Sequence, residues 1–261
     1  SSIFDLVNDS AAAQEENDQN NQNGENGGEN DKNHHNENGG KGGNDRKASC
    51  FSTLRKWLGD CQSFEWTSEE EKKKHRLGID LNQMMSHVDE LEQMAQQYGL
   101  DIVFCHNDLL AFNILKNDSL NKFYFIDYEY CGYNYRAFDI GNHFCEYCGF
   151  TVDPSKYPSV DTQRMFIKAY LQAWRTEEGK EDNDESTSAV EVSDAEVESL
   201  RTQSNLFSLV AHLFWSTWGI WQSKHSNIDF DYLNYAGEKY GWFRQTRDKY
   251  VEEFLRFYSQ A

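Results

Sequence analysis

The sequence predicts an α+β fold, mostly helical, with one small β-hairpin set among the helices. Three observations lead there. Apolar residues recur at helical spacing through most of the chain after residue 50. Short strand-like runs cluster in one place only: Asp101-Ile102-Val103-Phe104, Ile114-Leu115-Lys116 and Phe123-Tyr124-Phe125-Ile126. The turn-forming stretch Asn117-Asp118-Ser119-Leu120-Asn121 joins the last two.

Residues 1–8 hold a small apolar group, Ile3, Phe4, Leu6 and Val7. Residues 9–48 are Asn, Gly, Glu, Asp and Gln with His34-His35, a composition too polar to offset chain entropy by burial. Residues 1–48 are therefore expected to be disordered, a solvated linker with His34-His35 at most a weak metal contact. Order is expected over 49–261. Phe51, Leu54, Trp57 and Leu58 form a helical stripe. Thr67 N-caps a run opening on acids, and Gly78 divides the apolar pattern of 69–98 into two helices that end at Gly99. After the hairpin, Tyr130 to Tyr135 reads as a loop leading into a helix from Arg136. Further helices are expected over 160–175, about 195–223, 229–240 and 241–259. Residues 177–198 hold ten acids against one lysine and read as a flexible acidic insertion.

The net charge of −19 argues against a nucleic-acid binder and suits a site for a small cation. No apolar run is long enough to span a membrane, and no secretory signal is visible, so reduced cysteines in the cytoplasm are expected. His143, Cys145 and Cys148 invite a zinc reading, but no second ligand pair follows at finger spacing, and small side chains packed on a helix are the favoured alternative.

The chemistry-bearing stretch is Phe104 to Asn113 followed by Phe125 to Tyr130. His106 and Asp108 are two apart, and Asn113 lies five beyond Asp108. Asp127 opens the next segment. Kinase catalytic loops use this order, an Asp at the attacking hydroxyl and then Asn and Asp for metal. Mg²⁺ takes few protein oxygens and completes its shell with phosphates and water, which Asn113 and Asp127 suit. A hairpin returns the chain to its start, so Asn113 and Asp127 should converge. The competing reading is that His106, Asp108 and Asn113 only cap a turn; the later Asp127 tells against it.

These residues carry a resemblance. Phe104-Cys105-His106-Asn107-Asp108-Leu109-Leu110, Asn113-Ile114-Leu115, Ile126-Asp127-Tyr128-Glu129-Tyr130 and the run from Tyr133 to Glu146 look like the choline/ethanolamine kinase family, with a match over roughly 51–176 and 199–260. The resemblance implies a protein-kinase-like fold of the aminoglycoside-phosphotransferase type, here its C-terminal lobe. It implies ATP- and Mg²⁺-dependent phosphorylation of an amino alcohol, a step toward phosphatidylethanolamine. It assigns Asp108 as catalytic base, Asn113 and Asp127 as Mg²⁺ ligands, and His106 and Asp139 as supports of the loop. Glu146 matches the family's head-group carboxylate, and Trp215, Trp218, Tyr232 and Tyr235 its aromatic cage. A cationic head group wants a carboxylate and aromatic faces; the three-residue spacing of each ring pair equally fits an ordinary helix core.

Leu109-Leu110 looks more like the ethanolamine branch. Gly149-Phe150-Thr151 lacks a tyrosine that many choline kinases place there, and one missing aromatic wall leans toward a primary ammonium. Choline remains the alternative. The small N-terminal lobe that clamps ATP in this fold is not legible, so the chain is expected to be the large lobe of a kinase with little activity alone. A homodimer and a non-catalytic scaffold that binds a basic partner also stay open.

Overall fold

The computed structural model describes residues 47–181 and 191–260. Residues 1–46, including His34-His35 and the apolar group at 3–7, lie outside the described residues, as do 182–190 of the acidic stretch.

Helix α1 (Ser49–Gln62) buries Cys50, Phe51, Leu54, Leu58 and Cys61 on one face. Helix α2 (Ser68–Leu77) starts at a capping box, in which the Thr67 hydroxyl accepts from the Glu70 N–H and the Glu70 carboxylate accepts from the Thr67 N–H. It stops at Gly78, whose φ of 68° suits a residue without Cβ. Helix α3 (Leu81–Gln97) is capped by Asp80 and buries Met84, Val88, Leu91 and Ala95.

Strand β1 (Ile102–Cys105) pairs antiparallel with β4 (Gly132–Tyr135), with Ile102 opposite Tyr135 and Cys105 opposite Gly132. The expected loop across Tyr130–Tyr135 is thus mostly strand. Gly-Tyr-Asn-Tyr carries no apolar alternation, and its pairing depends on a partner some thirty residues away, so nothing local announces it. Strands β2 (Ile114–Asn117) and β3 (Lys122–Phe125) form the expected hairpin. It is exposed on both faces, Leu115, Tyr124 and Phe125 included.

Helix α4 (Arg136–Glu146) leaves β4 directly and is buried from Ala137 to Cys145, apart from Asp139. Helices α5 (Val160–Glu181), α6 (Asp194–His225) and α7 (Tyr232–Gln260) complete the fold. Helix α6 is the axis. Most of its residues from Leu200 to Ile220 are buried, and it packs along α7 and α4 and against α1, α3 and α5. Where two helices are expected over 229–259 there is one. Gly241 lies within α7; a glycine inside a helix costs only about 1 kcal/mol relative to alanine, so the helix runs on through it.

The end of the acidic stretch is ordered helix. Ser193 and Glu196 form a second capping box, Val192 and Val197 are buried, and Arg164 and Arg175 pair with Glu198 and Glu196. The helix starts within a residue of the expected position near 195, at the capping signal Ser193-Asp194-Ala195-Glu196, and so overlaps the end of the stretch read as flexible. Among the described residues no helix is long and apolar enough to cross a membrane.

Candidate active site

The loop between β1 and β2 is held from beneath by α4. Asp139, in the first turn of that helix, accepts the His106 N–H on Oδ2 at 2.9 Å and the Asn107 N–H on Oδ1 at 2.8 Å. Asn107 needs that support, because its φ is 67° and a side chain strains that conformation. Its amide is also engaged at both its nitrogen and its oxygen. Nδ2 donates to the Tyr130 carbonyl and Oδ1 accepts from Asn134, while its backbone carbonyl accepts from Asn142. Burial pushes the Asp139 carboxyl up, and the two backbone donors pull it back. The variant Asp139→Asn keeps one acceptor and sets an amino group against the other N–H. A loss of about 2 kcal/mol is expected, read from urea unfolding; an unchanged midpoint would refute the role of these two bonds.

His106 ties the loop to the next segment. Its Nε2 lies 2.9 Å from the Ile126 carbonyl, one residue before Asp127. The hairpin closes as the sequence predicts, since the Ile126 N–H donates to the Asn113 carbonyl at 3.0 Å. Asn113 and Asp127 therefore stand at the same end of the hairpin. Asp127 is exposed, with a φ of 64° that turns the chain sharply after β3.

Asp108 is 8% exposed. Asn113 Nδ2 donates to its backbone carbonyl at 2.9 Å and to Oδ2 at 3.3 Å. Burial pushes the Asp108 carboxyl up to about 7, with the charges of Glu146, Asp127 and Glu129 adding to it and the Asn113 amide opposing. Four carboxylates thus share one region, a field that draws cations.

The aromatic residues named from the sequence come together as one cluster. Trp215 and Trp218 have ring centroids 5.7 Å apart, and Trp218 lies 5.6 Å from Tyr232 and 6.2 Å from Tyr235. Trp215 is largely core: it is 6% exposed, and its Nε1–H donates to Asn142 Oδ1 at 2.7 Å. Trp218 is half-buried. Trp221, at the same three-residue spacing, stacks on His225 instead. Tyr130 extends the cluster from the Asp127 side at 5.5 Å from Trp215, and Phe230 and Phe150 extend it beside Tyr235. No tyrosine stands at 149–151, as expected, but Phe150 within that stretch sets its ring 6.3 Å from Tyr235, so the expected missing wall is corrected to an aromatic face.

Sequence reasoning also missed Lys239. Its Nζ lies 3.1 Å from Glu146 Oε1, and its side chain is 1% exposed. The one available signal was its place four residues after Tyr235, on the same face of α7. Cys145 and Cys148 are buried, and Cys145 Sγ meets the Ser208 carbonyl and His212. Among the described residues no group of three or more His, Cys, Asp or Glu side chains is placed to hold a metal ion. A magnesium ion bound through phosphates asks less of the protein, and the oxygen donors of Asn113 and Asp127 fit it. The mutual repulsion felt at Asp108 is what a divalent cation there would relieve.

The family model described as choline/ethanolamine kinase matches residues 19–244. A probable ethanolamine kinase A of Dictyostelium discoideum is 36% identical over 206 residues, 79% of this chain and 55% of that protein. Ethanolamine kinase 1 of Homo sapiens is 44% identical over 147 residues, 56% of this chain and 31% of the relative. The chain thus spans about half the length, or less, of these curated relatives. Among solved structures, a Plasmodium vivax ethanolamine kinase superposes with a TM-score of 0.62 at 26% identity, covering 77% of this chain and 50% of that one. A choline kinase from Cryptosporidium parvum, at 22% identity and a TM-score of 0.60, shares the protein-kinase-like fold.

Proposed function

The chain belongs to the choline/ethanolamine kinase family, and from that premise we propose that it carries the acceptor and metal side of an ethanolamine kinase, which moves the γ-phosphoryl group of ATP to the hydroxyl of ethanolamine. The observation that carries this reading is the double role of Glu146. Its carboxylate meets Lys239 Nζ at 3.1 Å, beside the Tyr235 ring of the aromatic cluster, and its charge is felt at Asp108 in the loop. A molecule with an ammonium at one end and a hydroxyl two carbons away matches such a pairing of charge site and base.

Each residue then has a task. Asp108 orients the hydroxyl toward the phosphorus and takes its proton as the new P–O bond forms and ADP leaves. Asn113 and Asp127 hold Mg²⁺, which neutralises phosphate charge when bound. His106 and Asp139 keep the loop in register. Glu146 receives the ammonium, and Trp215, Trp218, Tyr232 and Tyr235 flank it.

Ethanolamine is favoured over choline by the relatives at 36–44% identity, all described as ethanolamine kinases, and by Leu109-Leu110. The ring of Phe150 removes the missing wall as a reason. The full-length gene product is expected to show a higher kcat/KM for ethanolamine than for choline in the presence of ATP and Mg²⁺. Equal or reversed values would overturn the preference, and no transfer to either would overturn the kinase reading in favour of a scaffold.

A further inference from the structure

Glu146 occupies an unfavourable place for an anion. It is the last residue of α4, where unpaired carbonyls carry negative partial charge, and its neighbour across the site is Asp108. Its side chain is also 12% exposed. A carboxylate so placed calls for a counter-charge. Lys239 is equally unfavourable alone, a cation 1% exposed in the middle of α7, among Cys145, His212 and Tyr235. The two account for each other: Lys239 Nζ meets Glu146 Oε1 at 3.1 Å and stands 5.5 Å from the centre of the Tyr235 ring.

We propose that Lys239 is a positioning residue for amino-alcohol binding, pinning Oε1 of Glu146 so that the carboxylate keeps one orientation and offers Oε2 to the incoming ammonium. The proposal rests on the reading of Glu146 as the head-group carboxylate. Because Tyr235 and Lys239 lie one turn apart, α7 delivers an aromatic wall and the clamp on the carboxylate from one face. Affinity for the head group then depends on the ion pair that joins α4 to α7.

Calorimetric titration of ethanolamine into the chain at pH 8 tests this with Lys239→Met, Lys239→Arg, Glu146→Gln and the double variant. Lys239→Met is expected to weaken binding by about tenfold or more, and Lys239→Arg to recover it to within about threefold, as for a charge pair rather than a packing contact. In the Glu146→Gln background, Lys239→Met is expected to change nothing further. That coupling is the deciding readout, since a purely structural lysine would weaken binding by the same factor in either background. Equal losses in the two backgrounds, or Lys239→Met binding within about twofold of wild type, overturn the proposal. If Lys239→Met does not fold, the comparison of Glu146→Gln with the double variant, which buries no unpaired charge, still decides: unequal affinities overturn it. Glu146→Gln binding like wild type, or wild type failing to bind, overturns the head-group reading as well; loss in Glu146→Gln alone overturns only the role of Lys239.

Discussion

Replacing Gly141 by alanine is expected to destabilise the chain by about 3 kcal/mol, lowering its melting temperature by roughly 10 °C. Gly141 is where α4 crosses α6. A Cβ there would lie 2.4 Å from the Ser204 carbonyl oxygen and 2.9 Å from the Ser208 nitrogen. These are backbone atoms of a buried helix and cannot swing aside as a side chain would, so one helix must shift. The shift would not stay local, because α4 carries Asp139, Asn142 and Glu146 along one rigid body. Asp139 would leave the loop amides, Asn142 would leave Trp215, and Glu146 would move against Lys239. Gly241→Ala is the control. It too lies in a helix, but its added methyl meets nothing, so the gain in helix propensity should stabilise the chain by about 0.5–1 kcal/mol. Urea unfolding of both variants checks the contrast. Equal changes, or a Gly141→Ala change under about 1 kcal/mol, would show that the helix crossing has slack.

The same contrast explains what could be read from sequence. The convergence of Asp108, Asn113 and Asp127 was legible because it depends on order and spacing along a loop and a tight hairpin, which are local. Caps were legible for the same reason, as Thr67 with Glu70 and Gly78 show. The strand at Gly132–Tyr135 and the ion pair of Glu146 with Lys239 depend on partners from 27 to 93 residues away. A four-residue strand has no period to detect, and a glycine does not say whether its missing Cβ faces a helix or water. A lysine in a helix ordinarily reads as surface, so its burial emerges only once α4 and α7 are placed together. The aromatic residues were legible as types, yet Trp215 and Trp221 share a spacing and have different surroundings.

Asp108→Asn is expected to end phosphoryl transfer and, at the same time, to make the chain more stable. The Asp108 carboxyl is pushed up to about 7 by burial first, then by Glu146, Asp127 and Glu129. In the unfolded chain it would ionise near 4. Between those values the folded state holds the proton and the unfolded state does not, so folding stability falls as pH rises from about 4 to about 7 and stays low above. Asparagine escapes that penalty, and its carbonyl oxygen can still accept from Asn113 Nδ2. In metal-free buffer at pH 8 the variant should therefore be more stable by roughly 2–4 kcal/mol, with the gap closing toward pH 4. Transfer to ethanolamine by the full-length protein should fall by about 10²–10⁴-fold, the usual range for a removed proton acceptor. Urea unfolding at a series of pH values, beside turnover, checks both halves. A variant less stable than wild type at pH 8, or a gap independent of pH, would mean that Asp108 is not held against its neighbours' charge. The opposite signs follow from one cause. Burial and, after it, the neighbouring carboxylates hold Asp108 protonated; on the proposed reading a metal and the acceptor's ammonium would neutralise those neighbours, so that repulsion would be relieved on binding.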